Sequence, residues 1–134
     1  MTDYLLDTNH AGMILRGDDA LIDRLSGLTG SRTGLCRPSI GELWFMAFNS
    51  TQIEENCERI DALCRGFHIW EFDEAAAIEF GRIRVELRRA GRPIPMIDVQ
   101  IASIARSRHL TLLSSDGHFN VVANLRVENW ISRI

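Results

Sequence analysis

Four acids of this 134-residue chain, Asp7, Glu42, Asp98 and Asp116, have surroundings that point to chemistry. Each stands where a strand gives way to a turn or where a helix opens: Leu5-Leu6-Asp7-Thr8-Asn9, Ser39-Ile40-Gly41-Glu42, Pro95-Met96-Ile97-Asp98 and Ser114-Ser115-Asp116-Gly117. Brought together they would repel, because two like charges ~5 Å apart cost roughly 3 kcal/mol at an effective dielectric of about 20. Protons or a cation must offset that cost. Hard oxygen ligands without Cys or clustered His suit Mg2+ or Mn2+ rather than zinc. Such an ion activates water, stabilises a phosphoryl oxygen, or, in pairs ~3.5–4 Å apart, does both in phosphodiester hydrolysis. The neighbours Asn9, Ser114 and Ser115 can orient water in such a site.

Each acid also has a plain structural reading. Ser39-Ile40-Gly41-Glu42 fits a capping box, so Glu42 alone reads as a cap. Asp116-Gly117 is an ordinary turn dipeptide, and Asp7 before Thr8-Asn9 fits an N-cap. Asp98 resists best: Ile101, Ala102 and Ala105 follow it at helical spacing, which puts it on the apolar side of its helix. A carboxylate there must be paired or metal-bound.

Alternating strands and helices must position these residues. Residues 3–6 read as a strand, followed by short helices over 9–15 and 19–28 and a Gly-rich loop at 30–34. A brief strand at 35–37 leads through Pro38 to a helix starting at Ser39. Ile53, Cys57, Ile60, Cys64 and Phe67 form a helical stripe, and residues 68–72 alternate as a strand. Asp73 caps a long helix with the stripe Ala76, Phe80, Ile83 and Leu87, stopped by Gly91. After Pro93 and Pro95 a further helix presents Ile97, Ile101, Ile104 and Ala105, then a strand at 110–113 and an edge strand at 126–130. This alternation predicts an α/β layer structure with a mainly parallel sheet, whose ligands bind beyond the carboxyl ends of its strands.

The length predicts a single domain over 1–134, with 46% hydrophobic and 25% charged residues in the globular range. All fifteen basic residues are arginine. Without lysine there is no P-loop, no Schiff-base chemistry and no kinase phosphate lysine. A net charge of −3 gives no overall attraction to nucleic acid. Cys36, Cys57 and Cys64 lack zinc-site spacing and read as apolar filler. The start Met1-Thr2-Asp3-Tyr4 lacks the basic character of a signal peptide, and no apolar run approaches the ~20 residues of a membrane span, so a cytoplasmic location is expected.

Taken in order, Leu5-Leu6-Asp7-Thr8-Asn9, Ser39-Ile40-Gly41-Glu42-Leu43, Ile97-Asp98-Val99-Gln100-Ile101-Ala102, Ser114-Ser115-Asp116-Gly117-His118-Phe119 and Leu125-Arg126-Val127-Glu128-Asn129-Trp130 resemble PIN-domain ribonucleases, most closely the VapC-type toxins of bacterial toxin–antitoxin pairs. The resemblance implies a three-layer fold with a mainly parallel central sheet flanked by helices. It implies a Mg2+-dependent endoribonuclease, with Mn2+ able to substitute, that cleaves RNA and acts as the toxin of a type II pair. Asp7, Glu42, Asp98 and Asp116 match the family's catalytic, metal-holding acids, and Ser114 takes the place of a hydroxyl residue more often Thr. Many relatives have Asn where this chain has Asp116. The family further implies a homodimer and a small antitoxin partner.

Five arginines lie between Arg82 and Arg92, against one acid, Glu86. Arg82, Arg88 and Arg89 are the candidate RNA contacts from this run, since Arg binds phosphate bidentately and stacks on bases; a solvated helix face is the plain alternative. His10 and His118 stand beside site acids and read as supporting groups. Aspartyl-phosphate chemistry is disfavoured because Asp7-Thr8-Asn9 has no second acid and no lysine exists. A non-catalytic PIN-like module that binds protein or RNA is the remaining alternative, against which the presence of all four acids speaks. The apolar cluster Leu43-Trp44-Phe45-Met46 with Phe48 cannot all face inward and is expected to divide between core and partner surface.

Overall fold

The computed structural model describes residues 1–131. Short apolar runs pair into a five-stranded sheet: β1 (Tyr4–Leu6), β2 (Thr33–Cys36), β3 (His68–Trp70), β4 (Thr111–Leu113) and β5 (Val127–Glu128). Their spatial order is β3-β2-β1-β4-β5, and every neighbouring pair is parallel. Six helices connect them: α1 (Thr8–Leu15), α2 (Asp19–Ser26), α3 (Arg37–Phe48), α4 (Ile53–Gly66), α5 (Glu74–Ala90) and α6 (Met96–Ser107).

Strand side chains alternate between faces, and the two cores divide accordingly. Leu5, Cys36 and Leu112 pack with Ala76, Ile83 and Leu87 of α5 and with Val99, Ile101 and Ile104 of α6. Leu6, Leu35 and Leu113 point the other way, onto Ala11, Leu21, Ile40, Leu43, Ile60 and Leu63 of α1 to α4. Burial on both faces explains why the strands are almost uninterrupted apolar runs. The expected three-layer α/β architecture is what forms.

Several boundaries differ from expectation for local reasons. β2 begins at Thr33, inside the stretch read as loop, because Gly34 lets β3 approach: a Cβ at that position would collide with the His68 carbonyl and the Trp70 ring. α3 opens at Arg37, two residues early, since Pro38 in its first turn is already set to the helical φ. In α4 the buried positions are Ile60 and Leu63, while Ile53 is exposed at the helix start. A 3-10 turn, Gly117–Val121, follows β4. Gly91, at φ +66°, closes α5 in the left-handed conformation, with its N–H and that of Arg92 donating to Arg88 and Leu87 carbonyls.

The chain runs from β1 outward through β2 to β3 and then returns to β4 on the other side of β1. The order therefore reverses between β1 and β4, the crevice where parallel sheets bind ligands. Arg106 of α6 ties the far side together, donating to Glu79 and to both oxygens of Glu86 on α5, and to the Ala123 carbonyl. Among the described residues, no helix is long and apolar enough to cross a membrane.

Candidate functional site: a carboxylate cleft at the sheet edge

Asp7, Glu42, Asp98 and Asp116 line one cleft of about 530 Å3 at the carboxyl edge of the sheet, over the β1–β4 crevice. Asp7 leaves β1 and caps α1, its Oδ1 accepting from the His10 N–H at 2.8 Å. The capping role read from sequence is thus real, but it uses only one oxygen. Oδ2 accepts from the Ser114 hydroxyl at 2.6 Å, and Asp7 is 4% exposed. Ser114 in turn accepts from the Asp116 N–H at 3.0 Å, so one hydroxyl spaces two of the acids.

Fully buried His10 fixes the remaining side of Asp7. Its Nε2 accepts from the Trp130 N–H at 3.1 Å, so the ring proton belongs on Nδ1, which faces Asp7 Oδ1 at 3.2 Å. That neutral tautomer donates to the carboxylate, as ring nitrogens do when they orient a ligand group.

Glu42 does not form a capping box. α3 is capped at Cys36 without a side-chain hydrogen bond, and the buried Ser39 hydroxyl pairs with the Cys36 Sγ. With α3 starting at Arg37, Glu42 meets the first turn of α1, where its Oε1 accepts from the Thr8 hydroxyl at 2.5 Å. Asn9 donates to the Ser115 hydroxyl at 2.7 Å, which ties the first turn of α1 to the segment after β4.

Asp98 is the third residue of α6, and its side chain is 14% exposed. Burial pushes its carboxyl above the usual range, the hydrogen bond with His118 opposes this, and the charges of Asp116 and Glu42 push it further up. Their effect on Asp98 makes the cleft an electrostatic unit. Asp116 caps the 3-10 turn by accepting from the His118 N–H at 2.9 Å. The His118 Nδ1 returns to 2.9 Å from Asp98 Oδ2 and 3.3 Å from Asp116 Oδ1. The hydrogen bond to Asp98 holds the His118 imidazolium above its usual range, with desolvation working against it and Asp116 adding to it.

A divalent cation fits this donor set. Among the described residues, single ligand atoms from Asp98, Asp116 and His118 lie within 4.8 Å of one another, with Asp7 and Glu42 lining the same cleft. His118 was read from sequence as a supporting group beside the site acids, not as one of the ligands. The turn that brings its ring back is a 3-10 helix five residues long, too short to leave a periodicity. Arg16 at the end of α1 also lines the cleft and was not singled out, since nothing in its spacing marks it.

The arginine run divides. Arg82 pairs with Glu79 at 2.7 Å, on the Arg106 side of α5. Arg84 and Arg88 line a groove beside Ile94, Met96 and Val99, next to the turn of α6 that carries Asp98. Arg89 is exposed. The apolar run of α3 divides too: Leu43 and Ala47 are buried, whereas Phe45 is 68% and Phe48 62% exposed.

A parallel sheet with acids gathered at its reversal point defines an α/β protein with a carboxylate site. The chain belongs to the PIN domain family, whose family model matches residues 4–125. It is 31% identical over 131 residues to the tRNA(fMet)-specific endonuclease VapC of Shigella flexneri, covering 97% of this chain and 99% of that protein. Ribonuclease VapC2 of Haemophilus influenzae is 32% identical over 134 residues, covering 98% of this chain and all of the relative, 100%. Among solved structures, VapBC2 from Rickettsia felis bound to a DNA fragment from their promoter superposes with a TM-score of 0.92 at 26% identity, covering 97% of this chain and 100% of that one. VapBC from Salmonella typhimurium, also DNA-bound, gives a TM-score of 0.91 at 27% identity, over 98% of this chain and 100% of that one.

Proposed function

We propose that the protein is a Mg2+-dependent endoribonuclease, with Mn2+ able to substitute, and the toxin of a type II toxin–antitoxin pair. Residues 1–134 form one nuclease domain in this reading, acting in the cytoplasm as a homodimer. The observation that carries it is the convergence of four acids, distant in sequence, on one cleft at the sheet's reversal point. A cation held there supplies water activation and charge neutralisation at the scissile phosphate. Asp7, Glu42, Asp98 and Asp116 hold it, with Asp7 oriented by His10 and Ser114. Asn9 and Ser114, tied to Ser115 and Asp116, would orient water at such an ion. The names of the full-length relatives support ribonuclease activity, and the VapBC structures support an antitoxin partner. Exposed Phe45 and Phe48 give such a partner an apolar surface to cover.

Thermal unfolding with and without Mn2+ tests the metal site. Saturation at about 100 times Kd stabilises by about 2.7 kcal/mol. Wild-type protein is expected to show the corresponding rise in Tm, and Asp98→Asn to lose it. No shift in wild type at millimolar Mn2+ would leave the four acids as caps and turns and bring forward the binding-module reading.

Arg88 stands beside the Asp98 turn without a carboxylate partner among the described residues, and in this reading it takes an RNA phosphate. Arg88→Ala is expected to weaken RNA binding and to lower the slope of log affinity against log salt by about 0.7–1. Unchanged affinity across the salt series would remove this residue from the RNA path.

A further inference from the structure

An imidazole nitrogen stands beside two of the cleft's acids. His118 follows Asp116 by two residues in the Gly117–Val121 turn, and the cap that Asp116 makes on its N–H swings the ring back over the acids. Nδ1 lies 2.9 Å from Asp98 Oδ2 and 3.3 Å from Asp116 Oδ1. A lone hydrogen on that nitrogen makes one good bond, to Asp98, and only a long one to Asp116. The same spacing is also that of a coordination shell. Ligands bound at ~2.1 Å in an octahedron stand about 3.0 Å apart along an edge and about 4.2 Å apart across it. The 2.9 and 3.3 Å separations from Nδ1 lie near that edge length, and the three ligand atoms lie within 4.8 Å of one another. The ring is 49% exposed, so an ion can reach it, while the Asp98 carboxyl behind it is 14% exposed and gives the ion a desolvated anchor.

We propose that His118 is itself a ligand of the metal site, the ion replacing the proton that Nδ1 shares with Asp98 and releasing it to solvent, and that this nitrogen makes the site prefer Mn2+ to Mg2+. The inference rests on the reading of the cleft as a divalent-cation site and deepens it. Mg2+ keeps oxygen ligands and water, whereas imidazole suits transition metals. With oxygen donors alone, the cleft would have little means to tell the two ions apart.

The test uses full-length protein, wild type and His118→Gln, titrated calorimetrically with MnCl2 and MgCl2. Pulsed electron paramagnetic resonance of the Mn2+-loaded proteins then reads nitrogen-14 coupling to the ion. Wild type is expected to bind Mn2+ more tightly than Mg2+ and to show the coupling. In His118→Gln the Mn2+ affinity is expected to fall by about 10-fold or more, the Mg2+ affinity to change much less, and the coupling to vanish. His118 is exposed, so the variant keeps its core. Mn2+ binding without nitrogen coupling in wild type, or coupling that persists in the variant, overturns the ligand assignment and leaves the carboxylate site standing. Equal proportional losses for both ions reduce His118 to a hydrogen-bond partner of Asp98 and overturn the selectivity. Binding of neither ion overturns this inference and the metal reading together.

Discussion

Asp7→Asn is expected to lower RNA cleavage by at least ~10^3-fold, a loss of about 4 kcal/mol in transition-state stabilisation, while leaving the fold intact. Asn keeps an oxygen for the His10 N–H, and it caps helices as well as Asp does. It removes the negative charge that faces Ser114 and the cleft. Cleavage rates on an RNA substrate, set beside a melting curve, separate the two effects. Full activity in this variant would rule Asp7 out of the chemistry, and a collapsed melting curve would show that its structural part dominates.

Arg106→Met is the largest effect expected away from the cleft. Arg106 is 11% exposed and spans α5, α6 and the segment at Ala123, pairing bidentately with Glu86 at 2.8 Å for each bond. Removing one partner of a buried pair costs about 3–5 kcal/mol, and the lower end applies because Glu86 is 44% exposed. Met keeps the apolar stem. A loss of about 3 kcal/mol lowers Tm by roughly 10 °C in a domain of this size. The effect has a sign in pH. Arg106 holds the Glu86 carboxyl below its usual range, and Arg82 with Arg106 does the same for Glu79. Their stabilisation is present above the ordinary Glu value of 4.5 and is lost as pH falls through the lowered folded value. Wild type and Arg106→Met are therefore expected to differ at pH 7 and to converge in acid. Equal melting at pH 7 would reduce the network to a surface decoration.

The elements that position the cleft were legible because their periods are long. The stripe of α5 buries Ala76, Ile83 and Leu87 as its spacing requires, and Ile101, Ile104 and Ala105 do the same in α6. The gathering of Asp7, Glu42, Asp98 and Asp116 also followed from placing each at a strand exit or helix entry. What escaped depended on contacts rather than pattern. Ser39 and Glu42 have capping-box spacing, but Pro38 draws the helix start forward and gives both residues other partners. Gly34 looked like loop because its requirement, a neighbouring strand and the Trp70 ring, lies 34 residues or more away. Arg82 and Arg88 sit in one run of sequence yet on different sides of α5, a division set by Glu79 and by the groove against α6.

The buried link from Trp130 through His10 to Asp7 also orders events during synthesis. β1 emerges from the ribosome first, yet it occupies the middle of the sheet and waits for β4 to cover its second edge. Asp7 receives Ser114 only with β4, and its histidine settles its tautomer only once residue 130 has arrived. A nascent chain therefore carries its first acid well before the cleft around it can form. The cleft closes only when β4 and residue 130 are both in place.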